Sequence, residues 1–322
     1  MLNLNQERLD ANETAFFTRE LASIEARMYE VMFPERTILR ILKIDSSDNP
    51  GAETYISRIY EQIGMAEFLA AYGAGDVPAV DVVGSELIGR FYTLANKFGF
   101  DIQEIRAASM ANVPLEQFKA ESAQLTHSQK WNQLVWFGDT LRNIPGILTQ
   151  PNVPKGYSAT VAGSTLWILA NGIVNKTPDQ INEDMSKCVR DIRTVTKNVE
   201  TAKVLLMGID RYEYIGSTYR ATNSDRTILE AFEKARPNIV IESVPELDNV
   251  PFDPVTGDPA NPALNCMVAF DNDPRVSVIK GPIPFEMSPP DVNGFRYSIE
   301  ARSRIGGWVV RYPLAWNVQV GQ

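Results

Sequence analysis

Residues 54–137 decide how this chain is read: TYISRIYEQIGMAEFLAAY (54–72) runs into the small-residue segment YGAGDVPAVD (72–81), GRFYTLANKFGF (89–100) returns, and PLEQFKAESAQLTHSQKWNQLVWF (114–137) follows. The first and third stretches read as extended and apolar-rich. On the return, Tyr92, Leu94, Phe98 and Phe100 share one face, with Phe91 and Ala95 on the other. Such an arm exposes too much apolar surface to be stable by itself, so the pattern predicts a ribbon that a neighbouring subunit covers. Within it, GMAEFLAAY (64–72) also reads as a short helix packed on its own domain. The last stretch is a long amphipathic helix opened by Pro114, which suits a first helical turn. At ~1.5 Å per residue it is roughly 36 Å long. Its expected buried stripe is Leu115, Phe118, Ser122, Leu125, Trp131, Leu134 and Val135.

Working outward, Phe17, Leu21, Ile24, Met28 and Val31 fall on one face of a helix over 13–32, ended by Pro34. TILRILKID (37–45) reads as a strand buried on both faces, SSDNPGA as a turn, and DIQEIRAASMA (101–111) as a short helix. Residues 139–154 form a proline-rich loop. From 165 the pattern becomes mixed α/β. TPDQINEDMSKCVRDIRTVTKN (177–198) starts with Thr177 as N-cap and Pro178 in the first turn, and sets Ile181, Met185, Cys188 and Ile192 on one face. AKVLLMGI reads as a strand, TILEAFEKA as a helix and NIVIESV as a strand, so 165–248 is expected to be a compact α/β subdomain. NVPFDPVTGDPANPAL (249–264) reads as a surface excursion and LNCMVAF as a strand. WVVRYPLAWNVQV (308–320) keeps period two and predicts one long strand. Trp308, Val310, Tyr312, Leu314, Trp316, Val318 and Val320 would line its buried face, with Pro313 opposite marking an edge.

The 322 residues suffice for a sizeable core, and 44% hydrophobic with 22% charged residues is ordinary for a folded protein. The net charge of -9, with no Lys/Arg cluster along the chain, argues against a surface built to wrap nucleic acid. Any inner wall of an assembly is therefore expected to be acidic and to bind DNA weakly or not at all. Cys188 and Cys266 cannot make a disulfide framework or a metal cage. They read as buried thiols in a reducing compartment. The polar, acidic start MLNLNQERLDANET is no signal peptide, and no apolar run is long enough to span a membrane.

A search for chemistry finds little. His127, the single histidine, has a functional reading as a general base or pH sensor and a plainer one as a helix-face or interface residue. The plainer one is preferred. YGAGDVP starts as G-x-G but places Pro78 where a third glycine belongs, and no phosphate-loop motif occurs. VAGSTL and KGYSAT put serines near glycines without forming a nucleophile elbow. The carboxylates of DNDP (271–274) and INEDM (181–185) read as solvated surface. No catalytic, cofactor-binding or metal-binding residue is expected, and the chain is not read as an enzyme.

The order of parts then becomes recognisable: a first helix ending in YEVMFPE, a long extended arm, the long helix, GILTQPNVP, TPDQINEDM, TILEAFEKA and the closing RIGGWVVRYPLAWNVQVG. From about residue 13 to 320 this resembles a major capsid protein of tailed bacteriophages with the Hong Kong 97-type fold, closest to the branch lacking a fused scaffolding domain. The resemblance implies an α+β fold with an N-arm (1–50), an extended E-loop (51–106) and a P-domain (107–164) holding the spine helix 114–138. It further implies an A-domain (165–248) and a segment 249–322 that completes both domains. It implies self-assembly through pentamers and hexamers into an icosahedral shell enclosing double-stranded DNA without specific binding. Expected partners are copies of itself, a portal protein and a separate scaffolding or decoration protein, with no membrane. The expected location is the virion, after synthesis in the host bacterial cytoplasm. Some members crosslink an E-loop lysine to a neighbour's asparagine; here the tip, 72–82, has no lysine and Lys97 lies near the base, so covalent linkage is not expected. The rival readings are an encapsulin-like compartment shell and a cytosolic α/β enzyme without a recognisable motif.

Overall fold

Ile38 and Leu42 stand four residues apart, and in the computed structural model that helical spacing wins over alternation. Thr37–Ile41 is a short helix, α1, and the extended part is confined to β1 (Ile44–Asp45). The strand expected over 37–45 is thereby corrected: one helical turn carries both Ile38 and Leu42 into the core that holds Trp131 and Val135. The structure describes residues 36–66, 79–110, 114–169, 172–221 and 225–321. The helix expected over 13–32 and most of GMAEFLAAY lie outside them.

β2 (Thr54–Ile63) and β3 (Asp81–Arg90) pair antiparallel along their full lengths as a two-stranded ribbon. The return limb is therefore DVVGSELIGR and not GRFYTLANKFGF. The chain leaves the ribbon at the buried Phe91, and β4 (Tyr92–Asp101) pairs with β14 (Arg296–Ile305) from Tyr92↔Ile305 to Asp101↔Arg296. The alternation read in β4 holds, with Tyr92, Leu94 and Phe98 half-buried, Phe100 buried and Ala95 exposed.

α2 (Ile102–Met110) leads to the 23-residue α3 (Leu115–Phe137). Ala123, His127, Trp131, Leu134 and Val135 form its buried stripe, a four-residue progression that puts Ser122 on the exposed side and leaves Leu115, Phe118 and Leu125 half-buried. α3 runs against β4, β14 and β15 (Gly307–Val310).

The α/β lobe runs β5 (Lys155–Tyr157), α4 (Pro178–Val195), β6 (Val204–Met207), α5 (Ile209–Ser217), α6 (Ile228–Ala235) and β7 (Val240–Ser243); α4, β6, α6 and β7 are the elements read there, while β5 and α5 were not expected. Thr177 and Gln180 close a capping box on α4, and Thr227 and Glu230 close another on α6. The excursion 249–264 is a hairpin, β8 (Val250–Phe252) with β9 (Pro259–Leu264). Downstream come β10 (Cys266–Phe270), β11 (Ser277–Lys280), β12 (Ile283–Met287) and β13 (Asp291–Asn293). After β14 and β15, the chain ends in β16 (Trp316–Val320).

One sheet serves two cores. Its order is β5-β16-β10-β6-β7. Val204, Leu206, Val268, Phe270, Trp316 and Val318 face the core built on α3, while Leu205, Met207, Met267 and Ala269 face the core under α4 and α6. Burial on both faces is why these strands read as continuous apolar runs. The long closing strand is corrected to two strands in two sheets. β15 pairs with β11, β16 pairs with β10, and a 3₁₀ turn at Pro313–Ala315 separates them. Pro313 fixes its own φ and lacks the N–H a ladder needs, so Tyr312 and Leu314 turn outward, 39% and 46% exposed.

Candidate assembly surfaces

The root of the ribbon is built from side chains that lock it to the body. The Tyr55 ring lies 5.2 Å from that of Phe91, and its hydroxyl donates to the Gly306 carbonyl at 3.3 Å. Burial, then the charge of Asp48, pushes the Tyr55 phenol up to about 12, so it stays a donor. Opposite it stands Gly89, where a Cβ would meet the Tyr55 ring at 2.2 Å; glycine lets the ring cross the partner strand. Arg304 on β14 donates to the carbonyls of Pro50 and Ala52, and its guanidinium sits over Phe91 at 5.8 Å. The nearly buried Lys280 reaches Asp45 and Asp48, each at 2.8 Å. Burial opposes the Asp45 charge, but the hydrogen bonds from Lys280 and Ser47 outweigh it and hold that carboxyl well below the usual range. Burial also opposes the Lys280 charge, and the two carboxylates more than offset it, so its pKa is raised.

Beyond this anchor the ribbon is bare. Ile56 and Ile88 pair across the strands at 54% and 65% exposed, and Tyr60 and Val82 share their face at 65% and 54%. The exposed ion pair Arg58–Glu86, at 3.0 Å, sits between them. Leu87, Val83 and Ile63 occupy the other face and are exposed too. Apolar residues on both faces were expected of the arm, though from different residues. At ~3.4 Å per residue the ten-residue strands reach roughly 34 Å. A second apolar surface is a groove of about 640 Å³ between α2, the start of α3 and the β4–β14 pair, lined by Phe100, Ile105, Leu115, Tyr297 and Ile299.

The residues weighed for chemistry do not converge. His127 is buried on α3, its Nδ1 2.8 Å from Ser303 Oγ and its ring edge-on to Phe285. Cys188 and Cys266 are free and buried, and burial pushes both thiols far up. Lys97 sits on β4 beside Glu300. Val161 and Ser164 of VAGSTL close a surface turn. Two carboxylates read as solvated are not. Asp184 of INEDM is buried and accepts from Lys176 Nζ, Trp167 Nε1 and Ala159 N, pinning the loop before α4 onto that helix. Asp271 of DNDP is buried and pairs with Lys203. Lys176 precedes the N-cap Thr177 while Asp184 sits inside α4, so no periodicity along one element joins them and their pairing was not legible. Among the described residues no group of three or more His, Cys, Asp or Glu could hold a metal, and no helix is long and apolar enough to cross a membrane.

A body of spine helix and sheets with an anchored, bare ribbon defines a subunit made for assembly. The family described as major capsid protein matches residues 64–317, and the chain belongs to that family. The capsid of Myoviridae phage XM1 superposes with a TM-score of 0.75 at 18% identity, over 94% of this chain and 98% of that one. The capsid of a native GTA particle gives 0.61 at 12% identity, over 92% and 94%. Mycobacterium phage Adephagia gives 0.58 at 12%, over 94% and 96%. At such identities the likeness concerns the fold, which is of the Hong Kong 97 type. No curated protein matches. The protein is a structural, shell-forming capsid subunit of a bacteriophage virion that associates with its own copies; the compartment and enzyme readings are not favoured.

Proposed function

We propose that copies of this chain join as pentamers and hexamers in an icosahedral shell around double-stranded DNA, and that the ribbon of each subunit lies across the next. The observation that carries this is the ribbon itself, with Ile56, Ile88, Tyr60 and Val82 bare on a strand pair too thin to have a core. In this reading residues 1–50 are the N-arm. The crossing loop runs from 51 to about Arg90, short of residue 106, because β4 is hydrogen-bonded to β14 throughout. The P-domain is α3 with the β4–β14 sheet, and the A-domain is the lobe of α4, α5 and α6. A portal protein and a separate scaffolding or decoration protein complete the particle, and the subunits are made in the host bacterial cytoplasm. Negative-stain microscopy of the purified full-length chain tests the reading. Hollow particles are expected; a uniform population of monomers or dimers at assembly concentrations would overturn it.

A further inference from the structure

The linear sequence carries no cluster of basic residues, but folding makes one on the α/β lobe. Ser186, Arg190 and Arg193 follow one another on α4 at spacings of four and three, so they share one helix face. From α6, Arg236 reaches the same face: its Nη2 donates to the Ser186 carbonyl at 3.5 Å, and its guanidinium lies over the Phe232 ring at 5.6 Å. Burial first, then the charges of Arg190 and Arg193, lowers the pKa of Arg236, with the charge of Glu183 working the other way. Their neutralisation is incomplete. Arg190 has Glu183 at 3.1 Å, both partners more than half exposed. Arg193 turns two donors onto Asn198 Oδ1, an uncharged acceptor, at 2.9 and 2.7 Å. Among the described residues neither Arg193 nor Arg236 is paired with a carboxylate. The other charges of these elements are Asp179, Glu183, Asp184, Lys187 and Asp191 on α4, Lys197 just after it, and Glu230, Glu233 and Lys234 on α6; Asp179 pairs with Arg220 and Asp184 with Lys176.

We propose that this face, Arg190, Arg193 and Arg236 on α4 and α6, binds the phosphate backbone of DNA irrespective of sequence and so turns toward the inside of the shell. The inference rests on the shell reading above. Guanidiniums suit phosphate because each presents several N–H donors in a rigid fork and keeps its charge when partly desolvated. Spacing agrees. Ser186 to Arg193 covers about 10 Å of helix at ~1.5 Å per residue, and one DNA strand offers a phosphate every ~3.4 Å of its axis, so the three arginines face about three phosphates. A neighbouring subunit is the other polyanion at hand, since each copy carries -9. Phosphate is favoured because guanidiniums are what this face concentrates, while the exposed apolar residues near the end of α4, Val195 and Val199, make too small a patch to seat a protein partner.

The test is anisotropy of a short labelled duplex titrated with unassembled full-length subunit between about 50 and 200 mM salt. Three phosphate contacts, each adding about −0.9 to the salt slope, give roughly a 40-fold loss of affinity over that range. In R190Q/R193Q/R236Q the loss should shrink to a few-fold or binding should vanish. If R236Q unfolds the lobe by undoing its packing on Phe232, the exposed pair R190Q/R193Q carries the test and should remove about two of the three contacts. No salt-sensitive binding by the unaltered subunit, or the same slope in the variants, overturns the proposal. So does a pair variant that loses subunit association in the absence of DNA, because the face then belongs to a neighbouring copy. Microscopy of the unaltered chain is read separately: absence of particles sinks the shell reading and leaves the duplex measurement standing.

Discussion

His127 is the single histidine, and where it sits makes the spine sensitive to acid. Ser303 Oγ, fully buried on β14, is 2.8 Å from His127 Nδ1 and accepts from Trp131 Nε1 at 3.1 Å. Burial holds the His127 pKa below its usual value, and a hydrogen bond to the Ala301 backbone works the other way without winning. The unfolded chain therefore takes up this proton first as the pH falls. The stability this histidine contributes is complete above its unfolded pKa of about 6.5 and is lost as the pH drops through the lowered folded value. Thermal melts of the unassembled subunit should decline more steeply below about pH 6.5 than those of His127→Gln, the carboxylates being common to both; superimposable pH profiles would refute the assignment. Trp316 makes a second residue-scale case. It is fully buried, stacked on Phe270 with centroids 4.1 Å apart and edge-on to Trp308 at 4.8 Å. Trp316→Ala should cost about 3–5 kcal/mol, a large share of a stability of about 5–15 kcal/mol. Denaturant titration reads the loss, and an unmoved midpoint would mean that the side chain is not core.

At the scale of elements, fold and assembly separate, because the ribbon contributes little to either core. Replacing Ile56 and Ile88 by serine removes the exposed cross-strand pair while the root held by Tyr55, Phe91 and Arg304 stays intact. The melting temperature of the subunit should hardly move, and particle yield by size exclusion should fall sharply; normal particles would show that this face is not an interface. The elements legible in the sequence were those whose signal is strong and local. α4 announced itself through Thr177 and Pro178 before an apolar stripe, α6 through the compact segment TILEAFEKA, and β6 and β10 through short apolar runs. β14 went unread because its buried positions, Ile299, Ala301, Ser303 and Ile305, include two small residues that blunt the alternation. α5 went unread because it buries Ile215 and little else. β3 was missed for a related reason: DVVGSELIGR lies almost wholly exposed, so no core-facing pattern exists to find. The bare arm was therefore legible as an arm but not in its strand pairing, because no packed face within the chain sets a pattern for β3.

For the whole molecule, many weak contacts must add up to a closed shell, and the question is whether covalent bonds reinforce them. In the proposed shell each ribbon buries only part of a two-stranded surface, so a single contact is modest, and stability comes from repeating it through every subunit of a closed array. A covalent lysine link would need an amine at the far end of the ribbon. The sequence has no lysine anywhere from 54 to 90. Lys97 lies on β4, past the anchored root, with its ammonium 3.5 Å from Glu300 of the same chain. Lys280 is occupied by Asp45 and Asp48 and is almost wholly buried. Cys188 and Cys266 are both free and buried within the subunit. The wall should therefore be held by non-covalent contacts throughout. Mature particles boiled in detergent should run as one band near the 35.9 kDa of the monomer, with and without reductant. A ladder of multimers that survives boiling would overturn this, and would shift the source of shell strength from repeated apolar burial to covalent closure.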